Sequence, residues 1–161
     1  MRITASMAVV VGMAFLLGAG VAFGAASDAC AFLSRPQIST VIGVTVDTGR
    51  HIGPGSALCS WGEPGDPNHD GKHVLLTIYK PVGKISAVDR FENGKMPIGG
   101  IQKTPVSGVG DDAYYIDTPG FGLGLNVKKG GAAFQVKVFG FSAELTKVLE
   151  RALAESVLAK L

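Results

Sequence analysis

Apolar residues fall at every second position in two late stretches: Leu123, Leu125 and Val127, then Phe134, Val136 and Val138 set against Gln135 and Lys137. Period two belongs to a strand, because successive side chains leave opposite faces of the backbone. The spacing predicts strands over 123–128 and 132–141, joined through Lys128-Lys129-Gly130-Gly131, a hairpin signal. Enrichment in Val, Leu, Ile and Tyr adds a well-buried strand over 73–79 and another carrying Leu58-Cys59-Ser60-Trp61. Shorter strands are expected over 44–48, 104–106 and 113–117.

From Ser142 onward the period becomes helical. Leu145, Val148, Leu149, Ala152, Leu153, Ser156 and Val157 form the expected inward stripe, leaving Lys147, Glu150, Arg151, Glu155 and Lys160 in water. Ser142 stands where an N-cap belongs, with Glu144 near the positive helix end. A first short helix is announced by Ser34 and Gln37 at capping-box spacing, by Leu33 and Ile38 as a hydrophobic staple, and by Gly43 as a left-handed stop. Ser86 to Phe91 reads as a third helix ended by Asn93-Gly94, and 95–102 as a loop broken by Pro97, Gly99 and Gly100. The order predicts an α+β fold, an antiparallel β-sheet flanked by an N-terminal short helix and a C-terminal amphipathic helix. The 23 glycines do not argue for disorder, since they fall at turns between apolar runs and in the N-terminal segment.

That segment changes the picture. Arg2 is followed by an uncharged run rich in Ala, Val, Gly, Met and Leu that ends in small residues near Ala26, the pattern of an export signal. Cleavage after Gly24 or after Ala26 fits the small-residue rule, the second giving a domain over 27–161; retention as an anchor is the alternative, because Met7 to Ala26 is about long enough to span a bilayer. Either way the remainder is expected outside the cytoplasm, periplasmic or secreted. There two cysteines are most simply a disulfide, so Cys30 and Cys59 are expected to be bonded, with Trp61 on the same strand face as Cys59. Asp28 just before Cys30 spoils the apolar approach of a lipid-attachment site, which leaves that sulfur free to pair.

Without Arg2 the chain carries 14 basic and 13 acidic residues, and its one adjacent basic pair, Lys128-Lys129, lies in a glycine turn. The balance argues against nucleic acid as a partner. With the signal removed no stable membrane span is expected. Asp66-Pro67-Asn68-His69-Asp70-Gly71 matches the first half of a calcium loop, with Asp66, Asn68 and Asp70 as candidate ligands. Its twelfth position is Thr77 and not a bidentate Glu, and a solvated hairpin loop is the alternative. His51, His69 and His73 read as surface residues, since no His-Glu-x-x-His spacing accompanies them. Gly108-Val109-Gly110-Asp111-Asp112 reads as a tight turn feeding a strand; two carboxylates would repel a phosphate, and neighbours on a strand cannot share a substrate. No catalytic constellation and no cofactor are expected.

Three of these pieces together resemble a known family. Cys30, Leu33-Ser34 and Ile42-Gly43 in and around the first short helix, then Cys59-Ser60-Trp61, then Gly108-Val109-Gly110-Asp111-Asp112-Ala113-Tyr114 are similar to the pattern of small exported bacterial domains of unknown function, many of them actinobacterial lipoproteins. The resemblance implies a helix-flanked antiparallel sheet pinned by one disulfide, and hands over no catalytic residue. The expected role is a non-enzymatic envelope or secreted module that binds a protein, peptide or cell-wall component. The alternative is a metal-dependent binder or enzyme using the Asp66–Asp70 loop. A binding surface is expected on loops that do not serve the core, namely 95–102 and Pro119-Gly120-Phe121-Gly122. Phe121, flanked by glycines, is either a loop anchor tucked into the core or a binding hot spot.

Overall fold

A computed structural model describes residues 28–66 and 71–161. The signal expected over 1–26 therefore lies outside the described residues, as do Asn68, His69 and Asp70. The elements run α1 (Ala29–Phe32), α2 (Arg35–Ile42), β1 (Arg50–His51), β2 (Leu58–Gly62), β3 (His73–Ile78), α3 (Ala87–Lys95), β4 (Gln102–Val106), β5 (Asp112–Thr118), β6 (Gly122–Lys129), β7 (Ala132–Phe139) and α4 (Ala143–Leu158). The seven strands form one antiparallel sheet in the order β1-β2-β3-β7-β6-β5-β4. The α+β fold with its N-terminal and C-terminal helices is as the pattern predicts.

Register assigns the two faces. Cys59, Leu76, Val136, Leu125 and Tyr115 lie opposite one another across five strands, so their side chains share a face. That face carries the main core, closed by Phe32, Leu33, Ile38 and Ile42 from the first two helices and by Leu149, Leu153 and Val157 from α4. On the opposite face α3 packs over β6 and β7, with Phe91, Tyr114 and Ala133 forming a smaller core. Among the described residues no helix is long and apolar enough to cross a membrane.

Local signals were reliable where the chemistry was local. The Ser34 hydroxyl accepts from the Gln37 N–H at 3.4 Å, the Gln37 side chain accepts from the Ser34 N–H at 3.0 Å, and Gly43 ends α2 at φ 71°. The β6–β7 hairpin turns on Gly130-Gly131 between the paired residues Lys129 and Ala132. Its turn is clamped by Asp111, whose carboxylate accepts from the Gly130 N–H and the Lys129 ammonium, each at 2.7 Å; both contacts hold that acid below the usual carboxylate range.

Four expectations are corrected. Residues 44–48 form no strand: only Val46 of this stretch is buried, and its N–H goes to the Ser39 hydroxyl at 3.2 Å and not to a ladder. Asn93-Gly94 does not end α3, which continues to Lys95. Gly94 serves instead to admit the Tyr114 hydroxyl, which lies where a Cβ at position 94 would stand. Ser142 occupies the N-cap of α4, but its side chain makes no cap hydrogen bond. The stripe of α4 is also rotated: Leu145 and Val148 are exposed, whereas Thr146, Glu150 and Ala154 are buried.

Candidate functional site

The rotation of α4 leads to the main irregularity of the sheet. The β6–β7 ladder runs from Lys129↔Ala132 only as far as Leu125↔Val136. Beyond that point Gly122–Gly124 stay paired with β5, while Lys137–Phe139 stay paired with β3. Ladder pairing thus lapses over the first three residues of β6 and the last three of β7, while the strands stay side by side: a Cβ on Gly124 would lie 2.9 Å from Lys137 Cγ. Glu150 reaches this stretch from α4, and its Oε1 accepts from the Val138 N–H at 3.0 Å. The residue is wholly buried, and its Oε2 makes no hydrogen bond. Burial pushes the carboxyl up to about 8, against the opposing influence of the Val138 N–H, the Lys137 ammonium and the Leu125 N–H. At neutral pH the group is therefore largely protonated.

A groove of about 550 Å³ lies beside this stretch, between the sheet and the start of α4. Leu123 and Val138 line its inner part, Thr104 and Tyr115 one side, and Thr146 and Lys147 of α4 the other. The Tyr115 hydroxyl donates to the Lys147 carbonyl at 2.8 Å, which ties the helix to β5; burial pushes this phenol up to about 12. Lys137, half-buried on the other face, lies along Gly124 and donates to the Phe121 carbonyl at 2.8 Å, and burial lowers its ammonium from the ordinary value.

Phe121 stands beside this groove, next in sequence to Gly122, which lines it. Its side chain is 70% exposed, so the core-anchor alternative is overturned. The backbone beneath it is nevertheless fixed, since its N–H reaches the Thr118 carbonyl at 2.9 Å. The other candidate loop holds Met96 and Ile98, both exposed, and it enters β4 at Gln102, the residue paired with Asp117. Both loops therefore emerge from the same end of the β4–β5 ladder.

The remaining candidates have structural partners. Cys30 and Cys59 are joined by a disulfide. Gly49 lies against Cys59 and Trp61 so closely that a Cβ there would come within 2.8 Å of the Cys59 sulfur. One cluster was not foreseen: ligand atoms of Asp28, Cys30 and His51 lie within 4.8 Å of one another. The sulfur is committed to the disulfide, and the Asp28 carboxylate accepts from His51 Nε2 at 2.6 Å and from the Cys30 N–H at 2.8 Å. His51, then the Cys30 N–H, holds that acid below its ordinary range. This is a cap for α1 and lacks the donor set of a metal centre. The cue in the sequence is an Asx residue two positions before Cys30, where it can cap the helix that Ala29 begins.

Asp66 spends one carboxylate oxygen on the Gly71 N–H at 2.7 Å, closing the loop at its base; its partners in the expected calcium set, Asn68 and Asp70, lie outside the described residues. The His73 ring stacks on Phe139 with centroids 4.2 Å apart, and its Nδ1 faces the Gly71 carbonyl at 2.9 Å. Asp111 clamps the hairpin turn, whereas Asp112 pairs with Lys95 beneath α3, so the two carboxylates serve separate contacts. In comparisons with known proteins, the chain matches no family model, no curated protein and no solved structure.

Proposed function

We propose that this chain is an exported, non-enzymatic binding module of the bacterial envelope or extracellular space, and that its contact surface is the groove between the sheet and the start of α4 with Phe121 on its rim. The observation that carries this reading is a large aromatic side chain in water on an anchored backbone. Such a residue has already lost the main-chain freedom that binding would otherwise cost, and aromatic anchors dominate interface energetics. Export is supported by the uncharged N-terminal run ending in small residues and by the disulfide, which suits an oxidising compartment. The non-enzymatic reading is supported by the contacts that occupy the candidate side chains, with Asp111, Asp112, His51 and His73 all engaged in holding the fold.

Phe121→Ala tests the site. The melting temperature is expected to stay within about 2 °C of the parent, because an exposed side chain contributes little to stability. Co-sedimentation with purified cell-wall sacculi and capture of protein from an envelope extract are both expected to fall, while Val82→Ser, a change at another exposed apolar residue, leaves them intact. Retention of every partner by Phe121→Ala at unchanged stability would remove the groove rim as the contact surface.

A further inference from the structure

We propose that the exposed turn between β3 and α3, with Val82 and Ile85 at its tip, is a contact point for the surface of an anionic phospholipid bilayer. It is a second surface, independent of the groove and of Phe121.

Backbone pairing builds the turn. Val82 donates its N–H to the Ile85 carbonyl at 2.9 Å, and the Val82 carbonyl accepts from the Ile85 N–H at 3.0 Å, with Gly83 at φ 58° between them. Residues directly opposite in an antiparallel pair project to the same side, so the two apolar side chains form one patch. They are 60% and 46% exposed, and every residue from Pro81 to Ser86 is exposed. Both feet of the turn are fixed. Arg90 of α3 donates to the Lys80 carbonyl at 2.9 Å and lies over the Tyr79 ring, while Ser86 caps α3. The turn thus holds two aliphatic side chains in water on an ordered backbone, where they serve no core.

Charge and position select the surface they meet. Residues 79–91 carry three cations, Lys80, Lys84 and Arg90, against one carboxylate, Asp89, which folds back onto the Ser86 N–H and hydroxyl at 2.9 and 2.7 Å. An apolar tip with a cationic collar matches a bilayer, whose interior is apolar and whose anionic headgroups attract Lys and Arg. Ser56 receives the Lys80 ammonium on its hydroxyl at 2.7 Å and the Ala29 N–H on its carbonyl at 2.8 Å, so the turn rises from the corner at which Ala29 begins the fold. The uncharged run Met7 to Ala26 leads to that corner. Retained, the run holds the turn at the lipid; cleaved, it leaves an α-ammonium near the same corner. A protein partner fits less well. Val is under-represented among the residues that dominate protein interfaces, and two side chains at the tip of a turn offer a small part of the about 800 Å² that each partner buries in a standard interface.

A tryptophan placed at the tip tests the proposal, because its emission reports insertion even where another part of the chain holds the protein on the vesicle. Val82→Trp is compared with Phe121→Trp, which puts the same probe at an exposed site on the opposite end of the sheet; Trp61, wholly buried, gives a constant background. Each exported variant is mixed with vesicles of phosphatidylcholine containing about 30% phosphatidylglycerol and with vesicles of phosphatidylcholine alone. On the anionic vesicles the indole of Val82→Trp is expected to shift its emission to shorter wavelength and to be quenched by brominated acyl chains, while that of Phe121→Trp stays in water. Quenching is expected to fall by about tenfold or more on phosphatidylcholine alone, given three cations near the surface. An indole at position 82 that stays in water on anionic vesicles, equal quenching at the two positions, or quenching independent of phosphatidylglycerol would each overturn the proposal. Sacculus and extract binding is read separately on Phe121→Ala, so either reading can fall alone.

Discussion

Glu150 shows how one residue couples a local contact to the energetics of the whole chain. Its folded-state acidity lies near 8, against an ordinary value of 4.5, so the folded protein keeps a proton that the unfolded chain gives up across that window. Stability from this source is fully present below the ordinary value, declines as pH rises, and is gone once the folded group has ionised. The slope approaches about 1.4 kcal/mol per pH unit where the two states differ by a whole proton. Carboxylates elsewhere work in the opposite direction, Asp28, Asp89, Glu92 and Asp111 all being held low by hydrogen bonds and ion pairs. The informative quantity is therefore a difference. Urea unfolding of the parent and of Glu150→Gln at pH 5, 6.5 and 8 is expected to show the variant gaining on the parent as pH rises. A gap that stays constant across the series would mean that the buried group does not change its protonation with folding.

Among the elements, α3 offers the sharpest case. A glycine inside a helix ordinarily costs about 1 kcal/mol relative to alanine, so Gly94→Ala would be expected to stabilise by that amount on propensity alone. Here the added methyl would meet the Tyr114 hydroxyl, which itself reaches toward the Phe91 carbonyl at 3.5 Å. Overpacking of this kind costs about 1–3 kcal/mol, and a net loss is the expected result in a denaturant titration. A gain in stability would show that Tyr114 moves aside freely.

The same helix marks the boundary of what the sequence reveals. The caps of α2 and the hairpin at Gly130-Gly131 were legible because each is set by residues within a few positions of one another. Asn93-Gly94 misled because a stop signal and a close tertiary approach call for the same residue. The stripe of α4 was misphased because Glu150 and Thr146 took inward places that hydrophobic spacing assigns to Leu145 and Val148. Their partners are strand groups that no helical period reports. The lapse in β6–β7 pairing was illegible for the same reason, since the alternation of Leu123, Leu125 and Val127 runs unbroken where the pairing stops.

At the scale of the molecule, the disulfide joins α1 to β2 across 29 residues, tying the N-terminal helices to the sheet margin. Closing a loop of that length removes about 3.5 kcal/mol of unfolded-chain entropy, a large share of a small domain's stability. Cys59→Ser is expected to lower unfolding free energy by about 3 kcal/mol. Intact mass after thiol blocking, with and without reductant, establishes the bond in purified protein; two freely alkylated cysteines before reduction would contradict it.

The sheet order sets a schedule as well as a shape. β7, the last strand to be synthesised, lies between β3 and β6, so the margin formed by β1–β3 and the meander formed by β4–β6 have no shared ladder until it arrives. α4, which closes the core above that seam, comes later still. A nascent chain therefore carries two half-sheets with apolar edges at Leu76 and Leu125 and nothing to join them, the kind of long-range closure that makes folding slow and leaves partly made molecules prone to associate. Loss of the final thirty or so residues would strand both halves, whereas an equally long loss from the other end would spare the seam.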